Sequence, residues 1–250
     1  MKDSYERRRE IMHIMSAKEM DNRDFGLIII DWDRPLLPEQ DDEYRTISGR
    51  DGREHFSKEL GNKEIRVRFL KHNDNVKQWM SDRKEIVKWL YSKDEIWFTF
   101  DDEPATFYIG KVTNVDLPVN YKPDVSFWIT ITVHPFTYRL AIDAFLSFSD
   151  GVATVENIGN YDTPYILSVT SGSSVSGYRF SMNGAELTYD GQVNMGDVIT
   201  IDTEEMEFRL NGNLKVLEVD GYFTFLESGS NTVTSNVTGE HRIKYTERNL

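Results

Sequence analysis

The chain has 250 residues, with 29 Lys and Arg against 42 Asp and Glu, a net charge of −13, and no cysteine. That balance repels phosphate backbones and argues against nucleic acid as a ligand, while the missing thiols remove disulfides, thiolate nucleophiles and Cys-based zinc sites. No apolar run reaches the roughly 18–20 residues of a membrane span, and the charged opening MKDSYERRREIMHIM has no uninterrupted apolar stretch of a signal peptide, so a soluble chain without membrane association is expected.

Taken in chain order, residues 1–9 are too dense in charge to assign to a helix or to disorder. Strands are predicted at 25–30, 64–71, 95–100, 106–115 and 125–133, with clear alternation of apolar and polar residues in 64–71. In the second of these Ile65, Val67 and Phe69 share one face and Glu64, Arg66 and Arg68 the other. Such a strand suits an interface, where charge pairs set register, and equally an edge strand protected by charge; both readings stand at this point. Residues 36–59 are polar and weakly periodic, longer than a structureless connection usually runs. The stretch NDNVKQWMSDRKEIVKWLYSK places Val76, Trp79, Met80, Val87, Leu90 and Tyr91 mostly at helical spacing, with Asn73 or Asp74 as the cap of one main helix.

Composition shifts near residues 137–150. All five tryptophans (Trp32, Trp79, Trp89, Trp97 and Trp128) precede it, and Gly, Ser, Thr, Asn and Tyr dominate after it. Two domains are expected, 1–140 and 141–250. The second is a run of short alternating strands, with hairpin turns predicted at Asn183-Gly184, Asn211-Gly212 and Asp220-Gly221, the pattern of a sandwich of two sheets.

No catalytic constellation emerges. The histidines His13, His55, His72, His134 and His241 are far apart, without metal-ligand spacing. Acid clusters at Asp31/Asp33, Asp41-Asp42-Glu43, Asp101-Asp102-Glu103 and Glu204-Glu205 read as turn or solvated carboxylates rather than a glycosidase pair. Gly172-Ser173-Ser174-Val175-Ser176-Gly177 lacks the register of a nucleophile elbow and reads as a flexible hairpin loop. Trp97, Phe127 and Trp128 are expected in a core rather than on a ligand platform. No catalytic residue, metal or cofactor is expected.

Asp24-Phe25-Gly26-Leu27-Ile28-Ile29-Ile30, Asp33-Arg34-Pro35 and Ile47-Ser48-Gly49-Arg50-Asp51-Gly52 follow one another in a familiar order. So do Asn157-x-Gly159, Pro164-x-Ile166, Gly196-Asp197-x-Ile199-x-Ile201-Asp202, Asn211-Gly212 and Phe225-Leu226-x-x-Gly229-x-Asn231 in the second half. Together, over residues 18–250, they resemble the distal tail proteins of long-tailed bacteriophages and prophages, the siphovirus tail component family. Two departures are the charged stretch ahead of the first strand and Ser228 where the family often has proline. The resemblance implies a mainly β protein with one main helix: an N-terminal α+β ring-forming domain with a long arm at 36–59, then a C-terminal galectin-like β-sandwich. It further implies a homo-hexamer at the virion's tail tip, made in the host cytoplasm, which joins the tail tube protein to the tail-associated tip protein and carries receptor-binding proteins. Glu64, Arg66 and Arg68 are then candidates for the ring interface. A carbohydrate-binding module is the alternative; the sandwich half has no Trp for stacking, and its Tyr161, Tyr165, Tyr178, Tyr189 and Tyr222 are scattered.

Overall fold

The computed structural model describes residues 14–46, 48, 51–52, 54–116 and 124–250. Residues 1–9 and His13, and Ile47, Gly49 and Arg50 of the Ile-Ser-Gly-Arg-Asp-Gly stretch, lie outside the described residues. The chain divides into two compact units, one running to Tyr138 and taking in Leu250, the other spanning Arg139–Asn249. Both are mainly β, and among the described residues there is one α-helix, which is neither long nor apolar enough to cross a membrane.

In the first unit the elements are β1 (Met15–Ala17), β2 (Met20–Asp21), β3 (Leu27–Asp33), β4 (Gln40–Arg45), β5 (Glu54–Leu60), β6 (Lys63–Lys71), helix α1 (Val76–Leu90), β7 (Ile96–Phe100), β8 (Phe107–Asp116), β9 (Val125–Val133) and β10 (Thr137–Tyr138). One antiparallel sheet runs β2-β1-β7-β8-β9-β6-β3, with β10 added to β8. The period-2 pattern sets its faces: Ile65, Val67 and Phe69 of β6 lie opposite Ile131, Ile129 and Phe127 of β9, all buried. The segment 36–59, expected as an extended arm, contains a two-stranded hairpin in which β4 and β5 pair from Gln40↔Leu60 to Arg45↔Glu54.

Trp89 shows that the sheet curls. Its indole N–H donates to the Ala17 carbonyl on β1 at 3.0 Å, while its ring packs edge-on to Phe69 of β6 at 6.4 Å. These strands stand four places apart in the sheet, about 19 Å if it were flat. One side chain reaches both because the sheet wraps round a single core, closed by Trp79, Ile86, Trp89 and Leu90 of α1.

The helix begins one residue later than its sequence signal. Asn75 is the cap, its Oδ1 accepting from the Gln78 amide at 3.1 Å, while Gln78 Oε1 accepts from the Asp74 amide at 2.9 Å. At the other end the Lys18 ammonium donates to the Lys88 and Tyr91 carbonyls, a cation at the negative end of the helix dipole. Lys18 and Glu19 both adopt positive φ, 52° and 63°, in the tight β1–β2 turn that delivers this ammonium.

The second unit is a sandwich. Its strands are β11 (Ile142–Phe145), β12 (Val152–Asn157), β13 (Tyr165–Ser171), β14 (Val175–Met182), β15 (Ala185–Val193), β16 (Val198–Asp202), β17 (Glu207–Leu210), β18 (Asn213–Leu214), β19 (Val219–Gly221), β20 (Gly229–Ser235) and β21 (Gly239–Tyr245). One sheet is ordered β11-β21-β13-β16-β17-β18 and the other β12-β20-β14-β15-β19. Rings join them across the core: Phe208 lies 5.0 Å from Tyr189 and 6.1 Å from Tyr178, and Tyr165 lies 6.5 Å from Phe180. Asn183-Gly184 forms the β14–β15 turn with φ of 52° and 84°, as its sequence predicts. Asp220-Gly221 is not a turn but part of β19, where a Cβ on Gly221 would meet the Glu186 carbonyl oxygen at 2.1 Å. Of the Gly172–Gly177 stretch, expected as a hairpin loop, residues 172–174 carry the chain from β13 in one sheet to β14 in the other and Val175–Gly177 begin β14 itself.

His241 is buried between Gly239 and Ser235. A carbonyl can only accept, so Nδ1 carries the proton toward Gly239 O (3.2 Å) and Nε2 accepts from the Ser235 hydroxyl (3.0 Å). Burial pushes the imidazole below its ordinary 6.5, with the Gly239 contact pulling weakly the other way. Near and below pH 6.5 the folded unit therefore binds less proton at His241 than the unfolded chain does. Stability of the second unit is full above that pH and declines below it. Thermal unfolding from about pH 7 to about pH 5 should show this fall, and His241→Gln should flatten it.

Candidate functional site

The outward face of the first unit's sheet is where the sequence-predicted residues meet. Glu64 and Arg66 are exposed and Arg68 half-buried, all on the face of β6 turned away from the core. β6 is not an edge strand: it pairs with β3 on one side and β9 on the other, so edge protection does not explain its charges. Register sets two rows across four strands. One holds Asp31, Arg68, Trp128 and Asp116, the next Asp33, Arg66, Thr130 and Asn114. The Arg66 and Arg68 guanidiniums lie 5.0 and 5.8 Å from the centre of the Trp128 ring, and Arg68 Nε donates to Ser126 Oγ at 2.9 Å. Cations over an aromatic face gain about 0.5–1 kcal/mol each at exposed sites, and opposed charges on neighbouring strands add to that. The result is a patterned surface: carboxylates at its margins, an Arg–Trp–Arg group at its centre.

Other acid clusters have structural partners. Arg34, just beyond β3, pairs with Asp102 and lies 3.6 Å from Glu103, with its guanidinium 5.0 Å from the Phe100 ring. Tyr108 donates to Glu103 Oε2 at 2.8 Å, and burial together with that carboxylate pushes its phenol up. Beside them Lys63 is buried, which pushes its ammonium down against the opposing pull of Glu103. Glu204 pairs with Arg248. Among the described residues no three His, Asp or Glu side chains converge on a metal-sized site.

Aromatic expectations divide. Phe127 is core, but Trp97 is 63% exposed and heads a column of rings, 4.8 Å from Phe107, which is 5.7 Å from Tyr138. Of the sandwich tyrosines, Tyr165, Tyr178 and Tyr189 are buried in the core, leaving Tyr222 exposed and Tyr161 half-exposed. That distribution offers no clustered stacking platform for a saccharide.

Periodicity also hid a feature of α1. Its buried stripe is Trp79, Ile86, Trp89 and Leu90, whereas Val76, Met80, Val87 and Tyr91 are exposed. The two stripes adjoin on the helix surface, so by spacing they read as one. Where the stripes meet, Trp79, Ile86 and Leu90 of the first and Val87 and Tyr91 of the second line a largely apolar groove of about 230 Å³ against β8.

Residues 24–133 match the phage tail protein RIFT-related domain, and residues 158–248 the siphovirus-type tail component C-terminal domain. The chain belongs to the siphovirus distal tail protein family. It is a structural component of the phage tail and so part of the virion. No curated protein matches the sequence. Among solved structures, the Dit protein of phage SPP1, described as a paradigm of the hub adsorption apparatus in phages infecting Gram-positive bacteria, is 15% identical. The match covers 96% of this chain and 100% of that one with a TM-score of 0.78, so the two share a fold. Two structures of the phage p2 baseplate in its activated conformation, with Ca and with Sr, match at TM-scores of 0.48 and 0.49. They are 9% and 10% identical, over 94% of this chain and 97% of theirs.

The motif residues of this distal tail protein's second half are fold determinants. Asn157 is fully buried; its Nδ2 donates to the Leu226 carbonyl at 3.2 Å and its Oδ1 accepts from the Gly159 amide at 3.1 Å. Asn231, also fully buried, ties the Glu227–Gly229 turn to Asn183 through both ends of its amide. Sequence order marks such residues for recognition, and burial explains why they are there: each satisfies several backbone groups that no water can reach.

Proposed function

We propose that this distal tail protein assembles through its first unit into a hexameric ring, the hub that joins the tail tube protein to the tail-associated tip protein and carries receptor-binding components. The observation that carries the reading is the presence of both family domains, in order, on one chain that follows the fold of SPP1 Dit over 96% of its length. That protein's description as a hub supports the same place for this one. The function is mechanical: it has no catalytic step and no cofactor, and the carboxylate clusters at Asp102, Glu103 and Glu204 serve pairs within the fold. The chain is made in the host cytoplasm and ends in the virion. The 36–59 segment acts as the arm between neighbours.

Light scattering tests it. Six copies of 29.1 kDa give about 175 kDa, and twice that would indicate stacked rings. A particle that stays at 29.1 kDa at every concentration overturns self-assembly.

In this reading Glu64, Arg66 and Arg68 face a neighbouring subunit. Arg66→Glu with Arg68→Glu removes both cations from Trp128 and sets acids opposite Asp33 and Asp31. The first unit should lose about 1–2 kcal/mol and still fold, since its core is untouched, while the ring dissociates. If the double variant assembles as wild type does, this face is not in the ring contact.

A further inference from the structure

Two apolar surfaces of the first unit are open in a single chain and matched in chemistry. The first is the groove between α1 and β8, lined by Trp79, Ile86, Val87, Leu90, Val112 and Val115, with Val87 51% exposed. Arg83 also lines it. The helix that forms its wall carries Lys77, Arg83, Lys84 and Lys88 against Asp82 and Glu85, a basic element in a chain of net charge −13.

The second is the pair Leu36 and Leu37, 89% and 59% exposed, between β3 and β4. Pro35 and Pro38 flank them. Proline fixes φ and disfavours the helical conformation in the residue before it, so the pair is presented on a stiffened backbone that loses little entropy on docking. Acids follow at once: Glu39, Asp41, Asp42 and Glu43, with no basic residue in 36–44. Exposed adjacent leucines running into an acidic strand are the chemical complement of an apolar groove on a basic helix.

We infer that Leu36 and Leu37 of one subunit seat in the α1–β8 groove of the next, with the acidic residues after them lying against the basic residues of the helix. The inference rests on the ring reading and names the contact that would make the ring. Both surfaces are open in the same chain, so the contact is between copies. A patch that fits a pocket elsewhere on the same molecule repeats head to tail and closes into a ring when the rotation allows.

The absence of native cysteine makes a direct test available. Leu37→Cys and Val87→Cys together, both at exposed positions, should give on mild oxidation a ladder of disulfide-linked oligomers on denaturing gels up to the hexamer. Either substitution alone should stop at dimer. Without cross-linking, Leu36→Ser with Leu37→Ser should weaken self-association at least tenfold by light scattering while leaving the thermal unfolding of the monomer unchanged. A double-cysteine variant that yields only monomer and dimer overturns this contact. If the wild-type chain on the same day measures about 175 kDa, the ring stands and its contacts lie elsewhere; if it measures 29.1 kDa, ring and contact fail together.

Discussion

Trp89→Ala is expected to destabilise the first unit by about 4 kcal/mol or more, the largest effect of any single truncation there. Trp89 is 1% exposed, so its removal opens a cavity that the fixed sheet around it cannot fully close, a change that costs about 3–5 kcal/mol for Trp→Ala. Its ring also stacks on Phe25 at 4.8 Å and meets Phe69 edge-on. In addition the Ala17 carbonyl loses its donor in a place closed to water, which adds about 1–3 kcal/mol. Beyond the sum, Trp89 is the side chain that bridges β1 and β6, so its removal opens contacts at both ends of the curled sheet at once. Trp89→Phe keeps most of the packing and loses the hydrogen bond, and should fall between wild type and Ala. Denaturant unfolding should show the first unit's transition moving while the second unit's stays. A loss under about 1 kcal/mol would mean that the helix is held by Trp79, Ile86 and Leu90 alone.

The strands were legible because each obeys one strong rule. β9, VSFWITITV, alternates except at Trp128, and its burial alternates throughout, with Trp128 on the outer face opposite Arg68 of β6. The α1 stripe shows the limit of the same reasoning. Spacing locates an apolar face but not its extent, and two adjoining stripes, Trp79–Leu90 buried and Val76–Tyr91 open, look like one until the sheet is in place. Charge on a strand face was similarly ambiguous. Glu64, Arg66 and Arg68 suit an edge or an interior strand with one wet face, and only the pairing of β6 with β3 and β9 decides. Asp220-Gly221 misled for a different reason: glycine serves both turns and close backbone approach, and here the demand is the Glu186 carbonyl on the next strand. Residue type suggests a core position for Trp97, yet alternation along β7 turns Phe98 and Phe100 into the core and leaves Trp97 on the opposite face, where it stacks on Phe107. As for the candidate site, its residues were visible as a pattern, whereas the Arg–Trp–Arg group was not, since Trp128 lies some 60 residues from its partners and only register brings them together.

Asn231→Ala should cost the second unit about 3 kcal/mol or more, and its value lies in what it should leave alone. The side-chain Oδ1 accepts from the Glu227 amide at 2.8 Å and from Asn183 Nδ2 at 2.9 Å, and Nδ2 donates to the carbonyls of Glu227 and Gly229 at 2.8 and 2.9 Å. Asn183 in turn starts the β14–β15 turn and accepts from the Thr232 amide. Alanine satisfies none of these groups, and with Asn231 fully buried each orphaned partner contributes about 1–3 kcal/mol, partly recovered by relaxation. Asn231→Asp separates the two halves of the amide: it keeps the acceptor, loses the donors and buries a charge, so it should be no better than alanine. Thermal unfolding measures both. The same variants then bear on assembly. If the ring is built by the first unit, Asn231→Ala at a temperature where the second unit remains folded should keep the wild-type mass, and on warming the sandwich should melt from an intact ring. A ring that falls apart as the sandwich melts, with the first unit's own transition unmoved, would place the ring contacts in the second unit instead.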